Sequence, residues 1–483
     1  MLKIHRSASD YILSILHNPD VTRVGFSLGL AGLTLGQALQ NGNGGFTVPA
    51  IIWLTVSLIC LAYALFTPRK PLQGFFVKIS FPVLLLGLLW QIFQLATKYP
   101  GVSLQASSLS TLWLFKLGVI VAGILAFMSL APKDRISAVR QNLLVCLTLL
   151  VIWFMGVWII KSSPEPRIDV FVFQQMSGEA LLHGSNPYTQ TPPNIYGHMQ
   201  YYGKELVGAN GNLTIGNPYP PLSIYFATLG YLAGGDIRYS YLLAIVLSGA
   251  LIAFLQPGRE SKLAAYIFLF TPRVFYLVEQ SWTEPIVVLL LTATVYCAIH
   301  YPRWLPFMLG LLFASKQYLL FLIPLTLLLV PPRSSWRNWA WIYGGMAGVA
   351  VAVTAPLALW NIPAFIWNVG GAQWYQIFRM DALSYPALYA HVFNQIPSQL
   401  IGFVALAIAF LPVWRFTPRT PMGFVAGVAW CLGIFFAFSK QAFCNYYFLV
   451  IGAICCTLAS LPTSHQTPQA ENSFSEQPIK ISP

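Results

Sequence analysis

The acidic side chain best placed to do chemistry is Asp169. It opens the stretch Asp169-Val170-Phe171-Val172-Phe173, and Met176, Ala180 and Leu181 continue its apolar face. That spacing fits an amphipathic helix lying in a membrane interface. Gly184 and Asn186-Pro187 supply the stop. Asp169 then has two readings. It is the helix N-cap, accepting hydrogen bonds from the first helical amides, or it is a general base for an acceptor hydroxyl. The two are compatible, because a capping carboxylate has a fixed orientation.

Other candidates are scattered along the chain. The triplets Asn186-Pro187-Tyr188 and Asn217-Pro218-Tyr219 follow Asp169, and the second runs into Pro220-Pro221. Asn-Pro turns and prolines at helix starts are structurally ordinary. Asn186, Tyr188 and Tyr219 can also bind sugar hydroxyls or stack on a sugar ring. Lys316 and Gln317 interrupt the apolar run 305–330. A lysine at bilayer depth costs about 3 kcal/mol on insertion scales, so it needs an anionic partner or a water-filled site. A structural ion pair is one reading, and a phosphate ligand is the favoured one. Glu279 and Gln280 read as sugar ligands or as a wet loop end. Arg379 reads as a surface partner of Asp381 or, with Lys316 and Lys440, as one of three cations for a phosphate leaving group. No Asp-x-Asp pair or His/Cys cluster offers a metal site, and no cofactor is expected. Neither a G-x-S-x-G elbow nor a Walker loop occurs.

The elements that must position these residues are membrane helices. The 483 residues are 57% hydrophobic and 8% charged, where soluble domains carry roughly 25% charged residues. This excludes an ordinary soluble domain. The net charge of +13 needs no nucleic acid, since Lys and Arg concentrate in short loops as the positive-inside rule expects. The seven cysteines lie mostly inside apolar runs, which argues against a disulfide framework or a zinc site. The N-terminus lacks a signal-peptide pattern.

Apolar runs at 22–40, 49–66, 78–97, 111–130 and 142–160 predict five helices before Asp169. Arg69, Lys70 and Lys78, and later Lys133, Arg135 and Arg140, mark inside loops, so the N-terminus is expected in the cytoplasm and 162–221 outside. That loop is too long to be a mere connection. Further runs give about 11 to 14 spans in all. Run 221–234 is a candidate re-entrant or interfacial piece, and 305–330 is either one helix or two half-helices meeting at Ser315-Lys316-Gln317. A second outside loop is expected at 361–399, and a disordered cytoplasmic tail over 462–483.

The Asp after a membrane helix, Leu182-His183-Gly184-Ser185-Asn186-Pro187-Tyr188 and Tyr219-Pro220-Pro221 together resemble glycosyltransferase family 87. Glu279-Gln280 and Ser315-Lys316-Gln317 resemble later elements of that family. The resemblance covers residues 145 to 335, within a module expected at 142–335, with residues 1–141 outside the matched pattern and residues 336–461 supplying C-terminal helices. It implies an all-α polytopic membrane protein of the GT-C type in the cell membrane, with an extracytoplasmic active site. It implies a polyprenyl-phosphate-sugar donor, mannose foremost, a glycolipid or glycan acceptor, surrounding membrane lipid, and Asp169 as the catalytic base of an inverting displacement. Two departures stand out: five helices precede Asp169 instead of one, and Glu279 stands where the family more often has glycine. A transporter or flippase of a lipid-linked sugar is the competing class.

Overall fold

A computed structural model describes residues 22–67, 75–132, 135–197 and 201–462. Arg69, Lys70 and Lys133 lie outside the described residues, as does the expected tail from 463 onward. Among the described residues the chain is helical throughout, with isolated bridges in place of strands. The N-terminal helices are α1 (Arg23–Gln40), α2 (Val48–Phe66), α3 (Phe75–Thr97), α4 (Leu112–Ser129) and α5 (Ala138–Ser162). Thr22, Thr47 and Ser137 each cap a following helix with the side-chain oxygen.

Among the described residues, five helical segments are long and apolar enough to cross a membrane, six if one bent pair counts as a span. The chain is therefore an all-α protein of multi-pass character. The expectation of 11 to 14 spans exceeds this measure. Several apolar runs fold into helices of 16 or 17 residues, among them α11 (Glu284–His300) and the C-terminal α15 (Ile401–Phe416), α16 (Pro421–Ala437) and α17 (Cys444–Ala459).

Between α5 and α11 lie α6 (Asp169–Leu182), α7 (Pro221–Gly234), α8 (Arg238–Ala253), α9 (Arg259–Leu269) and α10 (Val274–Glu279). The bent pair is α7 and α8, which turn by 105°. Gly235 makes that corner with φ of 73°, a conformation that costs glycine nothing. Run 305–330 is broken: α12 (Leu305–Ser315) ends at Lys316, which is extended, and a 3-10 helix resumes at Gln317–Leu328. α13 (Trp336–Trp360) follows, and the expected outer loop after it carries α14 (Tyr385–Phe393).

The core centres on α17, which is buried on nearly every side and packs against α1, α8, α9, α11 and α16. A helix apolar all round belongs in such a position. The N-terminal helices are part of this body. α1 packs on α2, α3 and α17, and Glu279 fastens the α3–α4 loop. Its carboxylate accepts the backbone N–H groups of Val102 at 2.7 Å and Ser103 at 2.8 Å. A Cβ at Gly101 would stand 2.2 Å from the Glu279 Oε1 atom, so only glycine admits this approach. Glu279 is fully buried. The expectation of a sugar ligand at Glu279 gives way to a structural anchor, because both oxygens are spent on amides that would otherwise be orphaned. Gln280 is also buried, and its amide donates to Glu279 at 3.2 Å.

Removing that anchor leaves two charge-assisted hydrogen bonds unmade. Glu279→Ala should destabilise the protein by about 2 kcal/mol or more, read as a lower midpoint in denaturation of the detergent-solubilised protein. A midpoint equal to wild type would show that the α3–α4 loop is held by something else.

Candidate active site

Asp169 occupies the first position of α6, and Ile168 is the N-cap. The capping expectation is thus displaced by one residue. The carboxylate still accepts a backbone N–H, that of Val170, at 2.8 Å on Oδ1. Two tyrosines complete its surroundings. The Tyr202 hydroxyl donates to Oδ2. The Tyr196 hydroxyl donates to Oδ1 at 3.3 Å and accepts the Asp169 N–H at 3.2 Å. Tyr202 is seated by Phe173, Leu206, Leu213 and Ile215, a small apolar cluster under the loop. Burial raises the Asp169 pKa above the usual carboxylate range. The hydrogen bonds of Tyr202, Val170 and Tyr196, and then the charge of Arg379, pull it part of the way back.

Arg379 stands near but is otherwise engaged. Its guanidinium forks onto Asp381 at 2.8 and 2.6 Å and lies 4.0 Å from the Tyr201 ring centroid. The surface-pair reading of Arg379 therefore describes its bonding, while its charge still reaches Asp169. Lys440 is a clamp. Its ammonium donates to the carbonyls of Gln376 at 2.7 Å and Gln373 at 3.4 Å, and to the Gln399 side chain at 2.7 Å. Three donors meet three acceptors, which leaves Lys440 no proton for a phosphate in this arrangement.

The two Asn-Pro-Tyr triplets lock to each other. Asn186 and Asn217 each accept the N–H two residues on, at 2.9 and 3.0 Å, forming matching Asx turns. The Tyr188 hydroxyl donates to the Tyr219 carbonyl at 2.9 Å. A Cβ at Gly216 would stand 2.5 Å from the Pro187 carbonyl oxygen, so the two turns touch backbone to backbone. Asn217 donates to Ser177 at 2.7 Å and so fixes the second triplet on α6. Asn368 joins both: it accepts the Asn217 N–H at 3.0 Å and donates to the Tyr188 carbonyl at 2.9 Å. Asn186 and Tyr188 are buried in this joint, which gives them a structural occupation in place of an open ligand face.

Tyr219 is different. It carries Lys316 over its ring at 4.2 Å, and its hydroxyl is pushed up by burial and then by the charges of Glu284 and Asp169. It stands within electrostatic reach of both carboxylates. Lys316 pairs with Glu284 at 2.8 Å, both side chains being almost wholly buried. Glu284 Oε2 is left without a partner. The structural ion pair is thus the arrangement Lys316 adopts, ahead of the phosphate ligand expected of it. Gln317 donates to the carbonyls of Pro218 at 2.6 Å and Val369 at 3.0 Å, tying the helix break to the second triplet.

Asp169, Tyr219 and Arg379 come together, with Lys316 behind Tyr219. Glu279, Gln280, Asn186, Tyr188 and Lys440 are committed elsewhere. Reading the sequence missed Tyr196, Tyr202, Glu284 and Asn368. The run Tyr196 to Tyr202, with three tyrosines, was the available signal for the first two. For Glu284 the signal was a buried lysine needing an acid. Asn368 left no signal. No known protein family, curated protein or solved structure matches the chain.

Lys316→Met leaves Glu284 buried and unpaired and should cost about 3 kcal/mol or more. Adding Glu284→Leu should recover most of that loss. Equal stability of the single and double variants in denaturant titrations would exclude the pair as the source.

Proposed function

We propose that the chain is a membrane glycosyltransferase of the GT-C type. It moves a sugar, mannose foremost, from a polyprenyl-phosphate donor to a hydroxyl of a glycolipid or glycan acceptor on the extracytoplasmic face. The observation that carries the reading is the bonding of Asp169. Its carboxylate is oriented by a backbone amide and two neutral hydroxyls, and among the described residues no cation hydrogen-bonds it. A carboxylate held by exchangeable neutral donors, with its pKa raised, is better suited to accept a proton than one locked in an ion pair.

The step balances with one base. The acceptor O–H gives its proton to Asp169 as its oxygen bonds to the anomeric carbon. The bond from that carbon to the donor's phosphate oxygen breaks, and polyprenyl phosphate leaves with the electron pair. Phosphate is a good leaving group, so no second carboxylic acid is required, unlike glycoside hydrolysis. Arg379 contributes nearby positive charge. What favours the transporter or flippase reading is the Lys316–Glu284 pair, since charges buried among helices also mark transport pathways.

Purified protein incubated with polyprenyl-phosphate mannose and an acceptor glycolipid should transfer sugar, and Asp169→Asn should reduce transfer at least about a thousandfold, within the range expected of a general base. Vectorial movement of the lipid without transfer would replace this reading with the flippase.

The rate should rise with pH as Asp169 loses its proton. Tyr202→Phe removes a hydrogen bond that favours the charged form, so the acidic limb should move to higher pH, by about one unit. A limb that stays in place or moves to lower pH would remove Asp169 from the base role.

A further inference from the structure

The turn between α10 and α11 is strained and holds more polar groups than it satisfies. Ser281 in that turn is buried, with φ of 56°. Left-handed backbone at such a residue persists only where the surroundings hold it, and it clusters at ligand sites. Two residues on, the Thr283 hydroxyl is buried without a partner, and so is Oε2 of the adjoining Glu284. The Tyr241 hydroxyl, within reach of the Glu284 charge, is a third buried group without a partner. Native structures leave few such groups, and each one needs a reason.

Three tyrosines stand around the Lys316–Glu284 pair. The Lys316 ammonium lies 4.2 Å from the Tyr219 ring centroid and 5.9 Å from that of Tyr318. The Tyr318 hydroxyl donates to Glu284 Oε1 at 3.5 Å, and the Tyr446 ring lies 6.0 Å from the Tyr318 ring. The pair itself is buried, yet all three tyrosines are only half-buried, so each keeps surface open beside it. The charges of Asp169 and Glu284 both reach the phenols of Tyr219 and Tyr446. Neither of those two hydroxyls is hydrogen-bonded among the described residues.

This set of groups selects a class of ligand. Glu284 Oε2 is an acceptor in want of a donor, while the phenols both donate and accept. Lys316 neutralises the carboxylate, and the free oxygen would repel an anion. A neutral ring bearing hydroxyls meets every one of these demands and can lie against an aromatic face. We propose that Glu284, Tyr219 and Tyr446 form a sugar subsite beside Asp169, in which Glu284 Oε2 accepts a hydrogen bond from one ring hydroxyl and so sets which sugar is taken. The origin of the ring, donor or acceptor, rests on the transferase reading of Asp169.

The test is binding to the full-length protein in detergent, measured by titration calorimetry. One series of probes is short-chain isoprenyl-phosphate mannose with its monodeoxy analogues. The other is methyl mannoside with its monodeoxy analogues. In one series the wild type should bind one analogue at least about tenfold more weakly than the parent, because a buried charged acceptor is left unpaired. Glu284→Gln keeps an acceptor for Lys316 and should cut that discrimination to about threefold or less. A merely structural role would weaken all probes alike. Tyr446→Phe should weaken the parent about threefold and leave sugar-free isoprenyl phosphate unchanged. Discrimination in the isoprenyl series assigns the donor's ring, and discrimination among the mannosides the acceptor's. The proposal is overturned if the wild type discriminates in neither series, or if Glu284→Gln discriminates as the wild type does. Should Glu284→Gln not fold, Tyr446→Phe decides, and parent binding equal to wild type overturns the subsite. Transfer is assayed separately. Discrimination without transfer overturns the transferase reading and keeps the subsite, whereas transfer without discrimination does the reverse.

Discussion

A lysine ammonium buried at a break between two helical segments must find a counter-charge, and Glu284 supplies it to Lys316. Much of the candidate site follows from that pair. With Lys316 held, its charge sits over the Tyr219 ring and the next residue, Gln317, reaches the Pro218 carbonyl. The break is thereby fixed to the second Asn-Pro-Tyr turn. Asn217 in that turn bonds Ser177, and Ser177 lies on the helix that Asp169 begins. A continuous line of polar contacts runs from Glu284, through the helix break, to the helix carrying Asp169. Charges among apolar helices are costly when unpaired, so each member of the line constrains the next.

The surroundings of Asp169 follow a different logic. Burial works against its charge, and an arginine fork would overcome that at the cost of basicity. Arg379 is close enough to act electrostatically, yet its fork is closed on Asp381. The side chains that donate to Asp169 are phenols, whose pKa values are themselves pushed up by burial and by the carboxylate. A phenol held in its neutral form can be exchanged for another neutral hydroxyl without separating charges. This is the electrostatic situation an incoming alcohol would meet.

Elements set by local pattern were legible in the sequence. The five N-terminal runs match five helices closely, Asp169 does open a helix, and Lys316 does sit at a break; the expected apolar face of the Asp169 helix does not hold, since Gln174 and Ser177 are buried while Phe171, Met176 and Leu181 are only half-buried. Local pattern stops there. Tyr202 reaches Asp169 across 33 residues, Glu284 reaches Lys316 across 32, and Glu279 reaches the amide of Val102 across 177. No periodicity encodes which acid meets which donor at such separations. Glu279 and Glu284 both flank apolar runs, and in composition they are alike. One closes on backbone amides and the other on a lysine, because the fold brings a glycine-lined loop to the first and a helix break to the second. The expected span count exceeds the five or six helices of spanning length among the described residues for a related reason. Several apolar runs fold into helices of 16 or 17 residues, and α11, α16 and α17 among them are largely buried within the protein.

The commitments of the three cations bear directly on how a phosphate could be handled near Asp169. Lys440 spends its protons on three oxygens that hold the outer loop, so recruiting it would loosen that loop. Lys316 can turn toward a phosphate only by leaving Glu284, and an abandoned carboxylate in that setting must take up a proton or follow the lysine. Arg379 needs no such exchange. It already lies against two aromatic rings and forks onto Asp381, while its charge still reaches Asp169. Of the three, it is the cation whose participation would disturb the fewest existing bonds. In the proposed reaction a departing phosphate would therefore be best accommodated on the Arg379 side of the carboxylate, with the Glu284–Lys316 pair left intact as the scaffold behind Tyr219.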